Sequence, residues 1–499
     1  MDLNKMKWMF ATIAVIIYLF TFFVVPALLE DGDQYLIMYD NFKMNLAETF
    51  FGDSLTNTDA FIINTYYYPK SKSLGENALA MVLLMNRNTM RDIRKYKMQL
   101  VATNGEGSSV TVPPNILVEA ASECAYVNVV ATTNSVPNLK KLEISDGNTR
   151  MEIPFRPART TAPAPVVICL SPQFIAEQWL IFVAHAHIAR HFGGHLHLYI
   201  TSMLNSYFDL LQEYERQGYV TLDFWLRLKS DGNSTTEPNS NMEWRNQAGA
   251  HTDCLLQYKE AATFITFFDL DDVLIPRGFN SYYDEFASHF FLHPDILTLQ
   301  YPRREMMLHN KPNMSDLNFH EIFGHSWFVD RQDTGKIVTR PSSINSMWIH
   351  RSFNVPDKKL RVVKNNFMLH LQKPFDTDGD DAIPFGISKF DMLENLKLNS
   401  SVLDPVQEDF ERFMNSPTVQ KISEKLPTHS YYYLILTRCY YRKGYMAKCP
   451  NGEGCLIPQR SDLPCIHSDV DYKSGTPMNP ITYHYHQNPR WSKDIGCYT

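Results

Sequence analysis

The sequence predicts an α/β fold: a large domain built on a largely parallel sheet, preceded by a small β-rich domain and an N-terminal membrane-spanning helix. Three observations carry this. Trp8 to Leu29 is an uncharged apolar run of 22 residues. Short apolar runs between 60 and 130 are separated by Asn, Gly and Ser clusters. From Val166 to Phe268 the pattern alternates between strand and helix. Of 499 residues, 44% are hydrophobic and 20% charged, which excludes a disordered chain. The net charge of −7 argues against a nucleic-acid binder.

At about 1.5 Å per residue, 22 residues span roughly 33 Å, enough for a hydrocarbon core of about 30 Å. Lys5 and Lys7 precede the run, and Glu30, Asp31 and Asp33 follow it. Positive charge stays on the cytosolic side, so the expected topology is type II: tail 1–7, span 8–29 and stem 30–55, with the rest beyond the membrane. A cleaved signal peptide would have a shorter apolar core and a small-residue cleavage site, which Val25-Pro26-Ala27-Leu28-Leu29 does not offer. All eight cysteines (Cys124, Cys169, Cys254, Cys439, Cys449, Cys455, Cys465, Cys497) lie past the span, an even number suited to disulfides in an oxidising lumen. A zinc site of Cys449, Cys455, Cys465 and His467 is the rival reading, with unusual ligand spacing. Sequons at Asn233, Asn313 and Asn399 fit the same compartment.

Ala60–Ile63, Ala80–Leu84 and Tyr126–Val130 read as strands of a β-rich domain over 56–160. Pro154, Pro157, Pro163 and Pro165 punctuate its end. The large domain then runs over 161–430. Val166–Leu170 is a buried strand. Gln173–Phe192 carries Phe174, Trp179, Phe182, Val183 and Ala186 at helical spacing and stops at Gly193-Gly194. His195–Thr201 is a strand, Asn205–Gln217 a helix, Tyr219–Leu228 a strand, 246–259 a helix and Thr263–Phe268 a buried strand. Such alternation implies parallel strands with helices on both faces. A Cys-rich segment, 431–499, closes the chain.

The last of these strands ends in Asp269-Leu270-Asp271-Asp272. Ligands of open α/β sheets collect at the carboxyl ends of strands. Two acids at i and i+2 there can hold a hard divalent cation, which bridges to substrate phosphates. Asp-x-Asp also occurs at 31/33, 376/378, 378/380 and 469/471, but only 269/271 follows an apolar strand in the alternating series. Two chemistries share the signature: a nucleotide-sugar glycosyltransferase, and a haloacid-dehalogenase-like phosphatase with a nucleophilic first Asp. The phosphatase motif sits on the first strand of its domain. Here several strand–helix units come first, the order of a transferase. A non-catalytic glycan-binding ectodomain is the third reading.

Several blocks together resemble glycosyltransferase family 92: Ala176-Glu177-Gln178-Trp179, Gly194–Ile200, Gln247–Leu255, Phe267–Pro276, Lys336–Pro341 leading to His350, and Met368-Leu369-His370. They cover roughly 165–375. Within the family the likeness is to invertebrate enzymes that transfer galactose β-1,4 to the core α-1,6-fucose of N-glycans. The resemblance implies a GT-A-like (Rossmann-type) fold, UDP-galactose as donor, a glycoprotein N-glycan as acceptor, Mn²⁺, inversion at the anomeric carbon and residence in the Golgi membrane. It implies that Asp269 and Asp271 bind the cation beside the diphosphate, that Asp272 orders the turn, and that His370 supplies a third ligand, with His350 as rival. Ser171, ending the first strand, and Asp253, in the block before the metal motif, are the further donor-side candidates.

Inversion needs a carboxylate to take the acceptor hydroxyl's proton. The sequence lacks a clear copy of the Glu-Asp pair many inverting relatives use. Asp330 and Asp333 are the candidates, with Asp316 and Glu321 as alternatives. Trp327 offers an aromatic face for an acceptor sugar.

Overall fold

The computed structural model describes residues 58–91, 98–229, 238–308, 313–324, 327–372, 387–389, 400–442 and 448–498, apart from 454, 456, 459, 479 and 480. The expected span and stem, and the sequons at Asn233 and Asn399, lie outside the described residues. Among the described residues no helix is long and apolar enough to cross a membrane.

The N-terminal strands are β1 (Thr58–Ser71), β2 (Gly75–Asn86), β3 (Asn115–Glu119) and β4 (Tyr126–Asn134). The β2 strand reads as one apolar run because both of its faces are buried. Leu79, Met81, Leu83 and Met85 point into a sandwich core shared with Leu100, Leu142 and Ile144 of a small four-stranded sheet. Ala78, Ala80 and Val82 face Leu256 on the other side.

The α/β region follows, as β5 (Val166–Leu170), α1 (Trp179–His191), β6 (Gly194–Ile200), β7 (Ser202–Leu204), α2 (Asn205–Arg216), β8 (Val220–Phe224), α3 (Gln247–Tyr258) and β9 (Phe264–Phe268). The expected units are present, but α1 begins at Trp179, six residues after the expected Gln173, because Gln173 and Ala176 bridge instead to Ile200 and Met203, and β8 ends at Phe224, four residues before the expected Leu228. Next come β10 (Asp272–Val273), α4 (Tyr282–Leu292), β11 (Thr298–Met307), β12 (Trp327–Thr339) and β13 (Met368–Gln372). The sheet order is β8-β6-β5-β9-β12-β11-β13-β10. The first four are parallel, as expected. Beyond β9 the sheet is mixed, because β12 runs antiparallel to both β9 and β11. The expectation of a largely parallel sheet therefore holds for one half only.

Helix α3 is buried along its whole length, so no polar face marks it in the sequence. One side packs on β5 through the Cys169–Cys254 disulfide, and the other faces the N-terminal sheet, where the Tyr68 hydroxyl donates to the Leu256 carbonyl at 2.6 Å. Asn246 caps the helix, its side chain accepting from the Gly249 N–H at 3.2 Å. A Cβ at 249 would lie 2.2 Å from that side chain, so this cap requires glycine.

The C-terminal strands β14 (Pro464–Ser474) and β15 (Ile481–Ile495) form a hairpin. It joins the N-terminal sheet, with β15 parallel to β1 and β14 antiparallel to β7. The 431–499 segment thus completes the sheet begun by residue 58. All eight cysteines pair, as Cys124–Cys449, Cys169–Cys254, Cys439–Cys455 and Cys465–Cys497. This overturns the zinc alternative, since no thiolate remains and the His467 ring stacks on Tyr498 at 3.9 Å.

Candidate active site

The apolar β9 delivers Asp269 to the carboxyl end of the sheet, and the chain turns at once. The Asp272 N–H donates to the Asp269 carbonyl at 3.1 Å, and the Asp269 N–H donates to Asp272 Oδ2 at 3.2 Å. Asp272 is wholly buried and closes the turn. His185 of α1 supports it from beneath, with Nδ1 2.9 Å from the Leu270 carbonyl. Burial pushes that imidazole down to about 4, so it stays neutral.

Strand pairing brings in the third side chain. Asp272 pairs with His370 across β10 and β13, and the Leu371 N–H donates to the Asp271 carbonyl at 2.7 Å. His370 Nε2 then lies 3.0 Å from Asp271 Oδ2. The ligand atoms of Asp271, Asp272 and His370 lie within 4.8 Å of one another. Two hard oxygens and an imidazole nitrogen suit a divalent cation. Asp271, Asp269 and His370 keep 33%, 24% and 13% of their side-chain surface exposed, whereas Asp272 keeps none. The side chains open to an incoming cation are therefore Asp271 and His370, with Asp269 beside them.

Buried cations compensate the acids. Lys336 Nζ sits 2.7 Å from Asp269 Oδ2 and 3.8 Å from Asp272 Oδ2. Arg303 Nε is 3.1 Å from Asp272 Oδ1, and Gln247 donates to Asp269 Oδ1 at 2.6 Å. Burial disfavours an ionised Asp269, but Lys336 and Arg303 outweigh it and hold the carboxyl well below its usual range. Burial likewise opposes charge on Asp271, and His370 overrides it to lower that carboxyl. Asp272, the most enclosed, is raised by burial despite Arg303. His370 is raised: burial favours neutral imidazole, but Asp271 favours the protonated form more strongly. A cation must displace that proton. Affinity for a divalent cation is therefore expected to weaken by up to about tenfold per pH unit as pH falls below the imidazole's folded pKa, which lies above the ordinary value of about 6.5. Titration of Mn²⁺ by calorimetry between pH 5.5 and 8 checks this.

The other candidates divide. Ser171 is at the site's edge, its N–H donating to the Phe268 carbonyl at 3.2 Å, one residue from Asp269. Asp253 is not part of the cluster. It lies six residues along α3 from Gln247, about 9 Å by helical rise, fully buried, accepting from Asn64, Tyr66 and Tyr199 at 2.9, 2.9 and 2.6 Å. It ties α3 to the N-terminal sheet. His350 stands outside the ligand group, with Nδ1 3.2 Å from the Gly335 carbonyl. Burial, then Lys336, pushes it down to about 3. Trp327, Asp330 and Asp333 are on β12, where Asp333 pairs in register with Arg303 and Trp327 with Met307; their side chains lie outside the described residues. Asp316 and Glu321 are exposed. Sequence reasoning gave Arg303, Lys336 and Gln247 no role. The signal available in the sequence was a lysine directly before the apolar pair Ile337-Val338, and the structure buries it wholly.

A strand-end acidic turn with an imidazole partner, on a sheet whose parallel half precedes it, defines the chain as a glycosyltransferase when joined to its relatives. The profile of glycosyltransferase family 92 matches residues 164–414. The Caenorhabditis elegans glycosyltransferase family 92 protein ZK381.2 is 42% identical over 89% of this chain and 91% of its own length. Protein F55C10.4 of the same organism is 37% identical, over 88% and 90%. The chain belongs to glycosyltransferase family 92. A crystal structure of S. aureus TarS 1–349 in complex with UDP-GlcNAc is similar at 10% identity and a TM-score of 0.23, over 50% of this chain and 71% of that one, a likeness too slight to carry an argument.

Proposed function

We propose that the chain is an inverting, Mn²⁺-dependent galactosyltransferase of GT-A type. It moves galactose from UDP-galactose to a fucosylated N-glycan, β-1,4 on the core fucose. It works in the Golgi lumen, held by one N-terminal type II span. The observation that carries this reading is the Asp271–His370 pair at 3.0 Å, with Asp269 two residues earlier, at the carboxyl end of β9. Four disulfides support a lumenal setting.

Asp271 and His370 would hold the cation, with Asp269 alongside. When bound, the cation supplies positive charge against the departing diphosphate. Lys336 and Arg303 keep Asp269 ionised and the acidic turn fixed before substrate arrives. Ser171 borders the nucleotide on the parallel half of the sheet. Asp333 is the favoured base, because its register partner Arg303 reaches the acidic turn; Asp330, three residues earlier, is the alternative. The base takes the proton of the acceptor hydroxyl as the sugar–phosphate bond breaks.

A soluble protein beginning after Glu30 tests the reading, with Mn²⁺, a panel of UDP-sugars and fucosylated or unfucosylated N-glycans. UDP release from UDP-galactose alone, abolished by EDTA and stimulated by the fucosylated glycan, is expected. Equal release from every donor, or stimulation without fucose, contradicts the specificity. Release of inorganic phosphate from simple esters would favour the phosphatase chemistry instead.

A further inference from the structure

The loop 344–355, after β12, is anchored by side chains of the layers beneath it, and half of its residues are buried. Glu119, at the end of β3, is 2% exposed and accepts from four donors. Its Oε1 takes the Ser346 hydroxyl at 2.7 Å, the Ser352 hydroxyl at 2.8 Å and the Asn354 amide at 2.9 Å. Its Oε2 takes the Phe353 N–H at 3.0 Å. Thr252 of α3 fixes the same loop, exchanging hydrogen bonds with the Met347 N–H and carbonyl at 3.1 and 3.0 Å. The indole N–H of Trp348 donates to Glu243 at 2.8 Å. Buried charge and polar groups from two layers thus hold a loop whose tip carries aromatic rings.

Those rings are not spent on the core. Phe353 is 43% exposed and Trp348 half-buried, with ring centroids 5.2 Å apart and 36° between planes. The Arg351 guanidinium lies 5.6 Å over the Phe353 ring. The loop borders the acidic turn: His350, 5.5 Å from Trp348, contacts the Gly335 carbonyl, and the next residue, Lys336, pairs with Asp269. In the sheet order, β9 separates the strands β8, β6 and β5 from β12. Ser171 lies on the first side and Gly335 on the second. A nucleotide on the parallel half leaves the β12 side for the acceptor.

We propose that Trp348 and Phe353 form the acceptor platform, two fixed rings on which a sugar of the acceptor glycan stacks. Rings pre-set by the loop's anchors offer apolar area to a sugar face without loop ordering on binding. This rests on the glycosyltransferase reading above, and its failure is separable from that reading's.

The experiment measures UDP release with Mn²⁺ and UDP-galactose while varying a core-fucosylated glycopeptide, for the wild type, Phe353→Ala, Phe353→Tyr, Trp348→Ala and Phe291→Ala. Phe291 is 83% exposed on α4 and controls for loss of a surface ring. Phe353→Ala and Trp348→Ala are expected to raise the acceptor KM about tenfold or more, with the donor KM moving less than about twofold. Phe353→Tyr should restore the acceptor KM to within about twofold, and Phe291→Ala should match the wild type. If Trp348→Ala fails to fold, the exposed Phe353 carries the test. An unchanged acceptor KM in Phe353→Ala, or donor and acceptor KM rising together, overturns the platform while leaving the transferase standing. A wild type that releases no UDP from any donor overturns both.

Discussion

Asp271→Ala is expected to lower Mn²⁺-dependent UDP release by about a thousandfold while the protein stays folded. The carboxylate is 33% exposed, its side chain contacts His370, and the Leu371 N–H bonds its backbone carbonyl, which alanine keeps. The fold therefore loses little, because the largely buried His370 can shed its proton once the carboxylate is gone. The site loses a charged oxygen ligand and the group that raises His370. Removing one such electrostatic contact in other active sites costs about 10²–10³ in rate, and loss of a metal ligand belongs at the upper end. Steady-state UDP release, with circular dichroism as the folding check, measures both. Wild-type turnover in this variant would remove Asp271 from the cation site.

Lys336→Met is expected to destabilise the protein by about 3–5 kcal/mol at pH 7, because it leaves buried acids short of a cation. Lys336 is wholly buried, 2.7 Å from Asp269. The sign of its pH dependence follows from Asp269. That carboxyl is held below its ordinary value, so its stabilising contribution is present above the unfolded pKa of about 3.9 and is lost as pH falls through the folded one. The methionine variant lacks much of this contribution, so the gap between the two proteins should narrow as the medium is acidified. Excess Mn²⁺ should recover part of the loss at pH 7 by supplying charge to the same turn and by binding the folded state. Urea unfolding at pH 7 with EDTA and with Mn²⁺, and with EDTA at pH values stepped down below about 3.9, checks all three. An unchanged midpoint at pH 7 would mean that Arg303 alone balances the turn.

What the sequence made legible was local. Phe264–Phe268 and the acids after it are contiguous, so a buried strand ending in an acidic turn could be read directly. The helices α1 and α2 and strands β5, β6 and β9 were visible because period and length agreed. His370 came from resemblance, because its meeting with Asp271 spans 99 residues and depends on the β10–β13 register. Arg303 follows Pro302 and precedes Arg304 and Glu305, a run that reads as polar surface yet forms a strand. The β14–β15 hairpin escaped notice because its residues alternate with exposed acids and its neighbour β1 is some 400 residues away, separated as the 425 positions between His484 and Asp59 show. Asp253 shares one contiguous block with Gln247, and contiguity in sequence does not tell which part of the block meets the donor side. On α3 the start of that block touches the site and the middle faces the N-terminal sheet.

Electron paramagnetic resonance of Mn²⁺ titrated into the protein with UDP present tests the cation site directly. Loss of the free-ion signal at one equivalent is expected for the wild type, and a free-ion signal throughout for Asp271→Ala and His370→Ala. Stoichiometric Mn²⁺ binding that survives both substitutions would contradict that assignment.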